Sequence, residues 1–116
     1  MIWANIVPAT HLFLSVITVL EIETGILLLE RRDPTQEGVL LSWLNTQVMP
    51  AFSNRILAVD TAVAQRCAKL HVLDPRSDRD AIIAATALVH EMTVVTRNII
   101  DFEHTGVELL NPWEPR

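Results

Sequence analysis

One cysteine, three glycines, three phenylalanines, three tryptophans and no tyrosine leave this chain of 116 residues short of several kinds of chemistry. With Cys67 alone, neither an intramolecular disulfide framework nor a cysteine-based zinc site can form. Gly25, Gly38 and Gly106 stand apart from one another, so no phosphate-cradling P-loop and no dinucleotide-binding glycine pattern exists. Ser15 lacks a G-x-S-x-G context, which argues against an acyl-transfer nucleophile. His11, His71, His90 and His104 form no i,i+4 pair, so they read as surface or internally satisfied histidines rather than metal ligands. Positive charge is scarce as well. Nine basic residues stand against 14 acidic ones, a net charge of −5, and indiscriminate coating of DNA needs clustered Lys and Arg. Met1–Leu20 carries no charge, but Asn5, Pro8, Thr10 and His11 interrupt it before the ~20 apolar residues that a membrane span needs. Nothing basic precedes Arg31, so the charged start of a signal peptide is missing. The expected setting is cytoplasmic, with no membrane association.

Apolar residues make up 50% of the chain. At this length one domain, 1–116, is expected, able to bury roughly 65% of its unfolded surface without a metal or disulfide. Met1–Val7 reads as the tail of a helix closed by a turn at Pro8–His11. Leu12–Ser15 reads as a buried strand, and a helical pattern runs from Thr18 to Glu30, with Arg31-Arg32-Asp33-Pro34 as its stop. A second helix is expected from about Thr35 to Val48, with Leu40, Leu41, Leu44 and Val48 on one stripe and Pro50 ending it. Arg55–Val59 reads as a strand, Asp60 as the N-cap of a helix through Leu70, and Asp74–Ser77 as a loop. Asp80–Met92 is so rich in alanine (Ala81, Ala84, Ala85, Ala87) that it must press closely on a neighbour. Thr93–Thr96 and Val107–Leu110 are the remaining strands. Trp43 and Trp113 read as core or lid aromatics. Gly25, a costly residue inside a helix, is expected to have a packing reason. Alternating strands and helices indicate an α/β fold with a parallel sheet covered on both faces.

Functional groups in such folds gather at the carboxyl ends of strands, where Thr18 and Glu21, Asp80, and Thr96, Asn98 and Asp101 stand. Two carboxylates ~4 Å apart repel by roughly 4 kcal/mol at an effective dielectric of 20. Convergence would therefore require a cation or raised pKa values. Oxygen ligands suit Mg²⁺ or Mn²⁺, which can activate water and neutralise charge on a phosphodiester. The same residues also fit a simpler role: Thr18-x-x-Glu21 and Ser77-x-x-Asp80 have capping-box spacing. Spacing alone favours caps over metal ligands, and Cys67, inside a helix, reads as packing.

Four motifs in order resemble the PIN-domain ribonucleases, and more narrowly the FitB-like branch of VapC-type toxins. They are Leu14–Gly25, Pro50–Asp60 with Ala64, Ala68 and Leu70, Asp80–Ala87 with Thr93–Asn98, and Asn111-Pro112-Trp113. The resemblance covers essentially the whole chain. It implies a three-layer α/β/α PIN-like domain and Mg²⁺-dependent cleavage of RNA by activated water, with Mn²⁺ as a possible substitute. It also implies metal carboxylates at Glu21, Asp80 and Asp101, supported by the polar side chains of Thr18, Thr96 and Asn98. The partners it implies are RNA as substrate, a second copy of the chain in a homodimer, and a small VapB-type antitoxin docking near the acidic pocket.

The family opens with a central strand ending in Asp, whereas Met1-Ile2-Trp3-Ala4 aligns inside the helix that comes after that strand. The expected domain is thus N-terminally truncated, lacking its first strand and one metal carboxylate. This raises the alternative of a catalytically inactive remnant that binds antitoxin or dimerises. An unrelated α/β binding domain, with both acids serving only as caps, is the third reading.

Overall fold

The computed structural model describes residues 8–73, 75 and 78–112. The expectations for Met1–Val7, Ser77 and Trp113, and most of that for the Asp74–Ser77 loop, lie outside the described residues. Contacts group the chain into two compact units, Phe13–Leu57 and the described residues of Met1–Leu12 and Ala58–Arg116.

In the first unit, strand β1 (Leu14–Ser15) pairs in parallel with β2 (Ile56–Leu57), Leu14 opposite Ile56 and Ser15 opposite Leu57. Helix α1 comes directly after it, spanning Val16–Leu27. It starts earlier than the Thr18 periodicity suggests because Ser15 leaves the strand extended and its hydroxyl accepts the Ile17 N–H at 3.0 Å. The capping box expected at Thr18 and Glu21 therefore does not form. Glu21 instead projects from the second turn, exposed to solvent. The helix also stops short of Glu30, since the backbone turns at Leu28 and Arg31 and Arg32 lie beyond its end.

Helix α2 (Pro34–Trp43) is started by Asp33, whose carboxylate accepts the Gln36 N–H at 3.0 Å, with Pro34 where an N–H would be unused. The chain continues through a π-helical turn (Leu44–Val48) into a short turn, α3 (Met49–Ala51). Pro50 thus does not end the helix as expected. The turn widens, Met49 N–H bonding back to the Leu44 carbonyl, and absorbs the donor that proline lacks. Leu40, Leu41 and Val48 are half-buried and Leu44 fully buried, the stripe expected from the sequence. Trp43, one position off that stripe, is 45% exposed and is not a core aromatic.

The second unit begins with a 3₁₀ turn, Ala9–His11, closed by His11 N–H on the Pro8 carbonyl at 2.9 Å. Helix α4 (Thr61–Leu73) is capped by Asp60, which accepts the Val63 N–H at 3.0 Å. It packs on α5 (Asp78–Val89). The alanine face of α5 is buried as expected: Ala81, Ala84, Ala85 and Ala87 are all inside, and the buried Thr86 hydroxyl donates to the Ile82 carbonyl at 2.8 Å. Strands β3 (Val94–Val95) and β4 (Leu109–Leu110) pair in parallel, Val94 opposite Leu109. Between them lies a 3₁₀ turn, Ile99–Phe102. Ala84, Ala87, Val94, Phe102 and Val107 form one core cluster.

All four expected strands are present but short, and they form two separate two-stranded parallel ladders among the described residues. No described helix is long and apolar enough to cross a membrane.

Helix α5 ends three residues before Met92 in a Schellman motif. Met92 N–H reaches the Ala87 carbonyl at 2.8 Å and Glu91 N–H the Leu88 carbonyl at 3.3 Å. Glu91 occupies the left-handed position of that motif, at φ 55°. Replacing it with glycine should stabilise the protein by about 1 kcal/mol, read as a higher midpoint in urea unfolding. Among the described residues, nothing beyond its own helix backbone and chain neighbours comes within 4 Å of where a Gly25 Cβ would lie, so the close packing expected of it is not seen there. Gly25→Ala should then add about 0.5–1 kcal/mol of stability, seen as a rise in Tm.

Candidate metal centre

Each candidate carboxylate has a definite local setting. Glu21 stands exposed on α1, beyond the first turn, so it neither caps the helix nor sits where the helix dipole is strongest. Asp80 is half-buried in the first turn of α5. There the partial positive charge of the helix N-terminus favours an anionic side chain. The box spacing with Ser77 concerns a residue outside those described, while Asp80 itself does occupy the third position of the helix. Asp101 is exposed, in the first turn of the 3₁₀ segment that packs against α5. Asp80 and Asp101 therefore come from two neighbouring elements of one unit, and Glu21 belongs to the other.

The supporting polar residues behave differently from one another. Thr18 lies half-buried in α1, its capping role taken by Ser15. Thr96, just beyond β3, accepts the Asn98 N–H on its hydroxyl at 3.0 Å. Asn98 in turn accepts the Asp101 N–H on its carbonyl at 3.1 Å. Thr96 and Asn98 are thus part of the turn that carries Asp101.

Among the described residues no group of three His, Cys, Asp or Glu side chains is assembled to hold a metal. The chemistry of the donors nonetheless fits a hard divalent cation. Mg²⁺ retains much of its water and is commonly bound through one or two carboxylates, completed by substrate phosphate, so it does not need a three-residue protein cage. A softer ion such as Zn²⁺ is a poor match for these oxygen donors.

Comparison with known proteins decides the family. Residues 2–108 match the PIN domain model. The chain belongs to the PIN-domain family. It is 34% identical over 120 residues to the plasmid stability protein StbB of Pseudomonas syringae pv. tomato, covering 97% of this chain and 83% of that protein. To the VapC ribonuclease Y4jK of Sinorhizobium fredii it is 31% identical over 118 residues, with the same coverage of each. The crystal structure of FitAcB from Neisseria gonorrhoeae aligns with a TM-score of 0.88 at 32% identity, covering 97% of this chain and 84% of that one. The structure of FitAB bound to a DNA fragment aligns with a TM-score of 0.87 at 32% identity, covering 98% and 82%. The fold is PIN-like, as the four motifs imply.

In this PIN domain the role that sequence reasoning missed belongs to Ser15. Its position immediately before an apolar helical run was the available signal, but the hydroxyl was weighed only as a nucleophile. The remaining reactive groups lie elsewhere. All four histidines are exposed, and His71 Nδ1 lies 3.8 Å from Asp78 Oδ1. Burial, with the negative charge of Asp78 second, pushes the Cys67 thiol up from its ordinary range. Less thiolate is then present near neutrality, which suits a packing residue rather than a nucleophile. Iodoacetamide at pH 7.5 should therefore label Cys67 more slowly in the folded protein than in urea, and the folded rate should level off at a higher pH than that of an ordinary thiol.

Proposed function

We propose that this chain acts as one PIN-like domain, a metal-dependent endoribonuclease toxin of a type II toxin–antitoxin pair, with Glu21, Asp80 and Asp101 holding Mg²⁺ or Mn²⁺. The observation that carries the activity is membership of the PIN-domain family together with near-full-length similarity to a protein named VapC ribonuclease. A relative from Neisseria gonorrhoeae, 33% identical over 116 residues, is named Toxin FitB, which supports the toxin reading. The partners of such a toxin are RNA as substrate, a VapB-type antitoxin and a second copy of the chain, in the cytoplasm.

Two structural facts support the site. Glu21 is released from the capping role that its spacing with Thr18 suggested, because Ser15 performs it. Asp80 and Asp101 lie on elements that pack together. A bound divalent ion would make a coordinated water more acidic than bulk water and place positive charge against the phosphodiester. Ionised carboxylates holding such an ion would offset part of its charge. A carboxylate must be ionised to act as a metal ligand. Thr96 and Asn98 hold the backbone of the turn from which Asp101 extends.

The test is an RNA cleavage assay on the purified protein, with and without EDTA. Cleavage should require Mg²⁺ or Mn²⁺. Glu21→Gln and Asp80→Asn should each slow it by about 10²-fold or more, the usual loss when a group stabilising developing charge is removed, without changing the circular dichroism spectrum. Metal-dependent cleavage that survives both substitutions would overturn the site. No cleavage at all, with antitoxin still bound, would establish the inactive binding module instead.

A further inference from the structure

The turn that carries Asp101 is only four residues long, Ile99–Phe102. A 3₁₀ segment of that size has strained hydrogen bonds and little stability of its own, so its position must be imposed from its two ends. On the upstream side Thr96 is tied to β4 by its N–H on the Leu110 carbonyl at 3.0 Å, and its hydroxyl holds the Asn98 N–H. On the downstream side Phe102, 4% exposed, is anchored in the core cluster with Ala84, Val94 and Val107.

Thr105 joins that anchor to the segment entering β4. Its hydroxyl donates to the Phe102 carbonyl at 2.7 Å and accepts the Val107 N–H at 3.3 Å, while its own N–H also reaches the Phe102 carbonyl at 3.1 Å. Gly106, between the two bridged residues, turns the backbone at φ +81°. One half-buried hydroxyl thus links the last residue of the 3₁₀ turn to the buried residue that leads into β4. Without it the backbone bond to Phe102 survives, but the Val107 amide loses its acceptor and the turn one of its two downstream ties.

We propose that Thr105 is a positioning residue for Asp101, its hydroxyl fixing the 3₁₀ turn so that the Asp101 carboxylate is held for a divalent cation. This rests on the reading of Asp101 as a metal carboxylate. Thr105 touches neither the ion nor RNA; it acts through the backbone of residues 101–102.

The test is a double-mutant cycle read by calorimetric titration of the full chain with Mn²⁺. Thr105→Val, which keeps the shape and removes the hydroxyl, should weaken Mn²⁺ binding about 10-fold, the lower end of what outer-shell partners contribute, and Thr105→Ser should restore it. Thr105→Ala serves as the second hydroxyl-deletion variant if Thr105→Val does not fold. In an Asp101→Asn background, removing the hydroxyl should have no further effect, since residues acting through one group are non-additive. An equal loss in both backgrounds would mean a general structural role and overturn the proposal. So would an unchanged affinity in Thr105→Val when Asp101→Asn alone weakens binding. Wild-type affinity in Asp101→Asn would instead overturn the metal reading of Asp101, and the role of Thr105 with it.

Discussion

The close approach of helix α5 to its neighbours is the constraint on which one half of this protein depends. Four alanines on α5 are buried, and α4, β3 and the 3₁₀ turn all pack against that helix. A larger side chain at the fully buried Ala84 or Ala85 would have to displace backbone, because protein interiors are already close-packed. The same helix carries Asp80 in its first turn and, through Phe102, supports the turn that carries Asp101. Packing of an apolar face thereby fixes the elements on which two candidate acidic groups sit.

The other unit is held by a different device. Its buried anchor is Leu44, at the start of a π-helical turn in a helix that would otherwise be broken by Pro50. Widening one turn lets the chain keep its helical direction and keeps the Leu40, Leu41, Leu44 and Val48 stripe facing inward. At the opposite end of the unit, Ser15 ends the strand and starts the helix within a single residue, so Glu21 falls in the second turn of α1.

Much of this was legible in the sequence. Apolar runs of strand length at Leu12–Ser15 and Val107–Leu110 marked real strands, and Asp60 before a helical pattern marked a real cap, because both signals are local. The errors came where two local rules competed. Thr18 and Ser15 could each have started α1, and spacing with Glu21 favoured the wrong one. Pro50 ordinarily stops a helix, and the sequence carries no mark of the wider turn that lets the chain pass it. Gly25 suggested a close contact, yet among the described residues open space surrounds it, since glycine in a helix records the lack of a side chain and not the presence of a neighbour. Trp43 reads from the sequence as a core or lid aromatic, yet it lies one position off the buried stripe and is not in the core.

By itself the sequence determined the family, and it supplied the donor types of the candidate site while leaving their role open between helix caps and ligands. Hard oxygen donors without cysteine or histidine suit a divalent cation, and the order of motifs along the chain matches one fold. Only the tertiary structure decided which hydroxyl caps which helix, which leucine is the buried anchor, and that Asp80 and Asp101 arise from elements packed on one another. The physical reason is range. Donor chemistry and periodicity belong to residues a few positions apart, whereas burial and competition for backbone hydrogen bonds are settled only when distant segments meet.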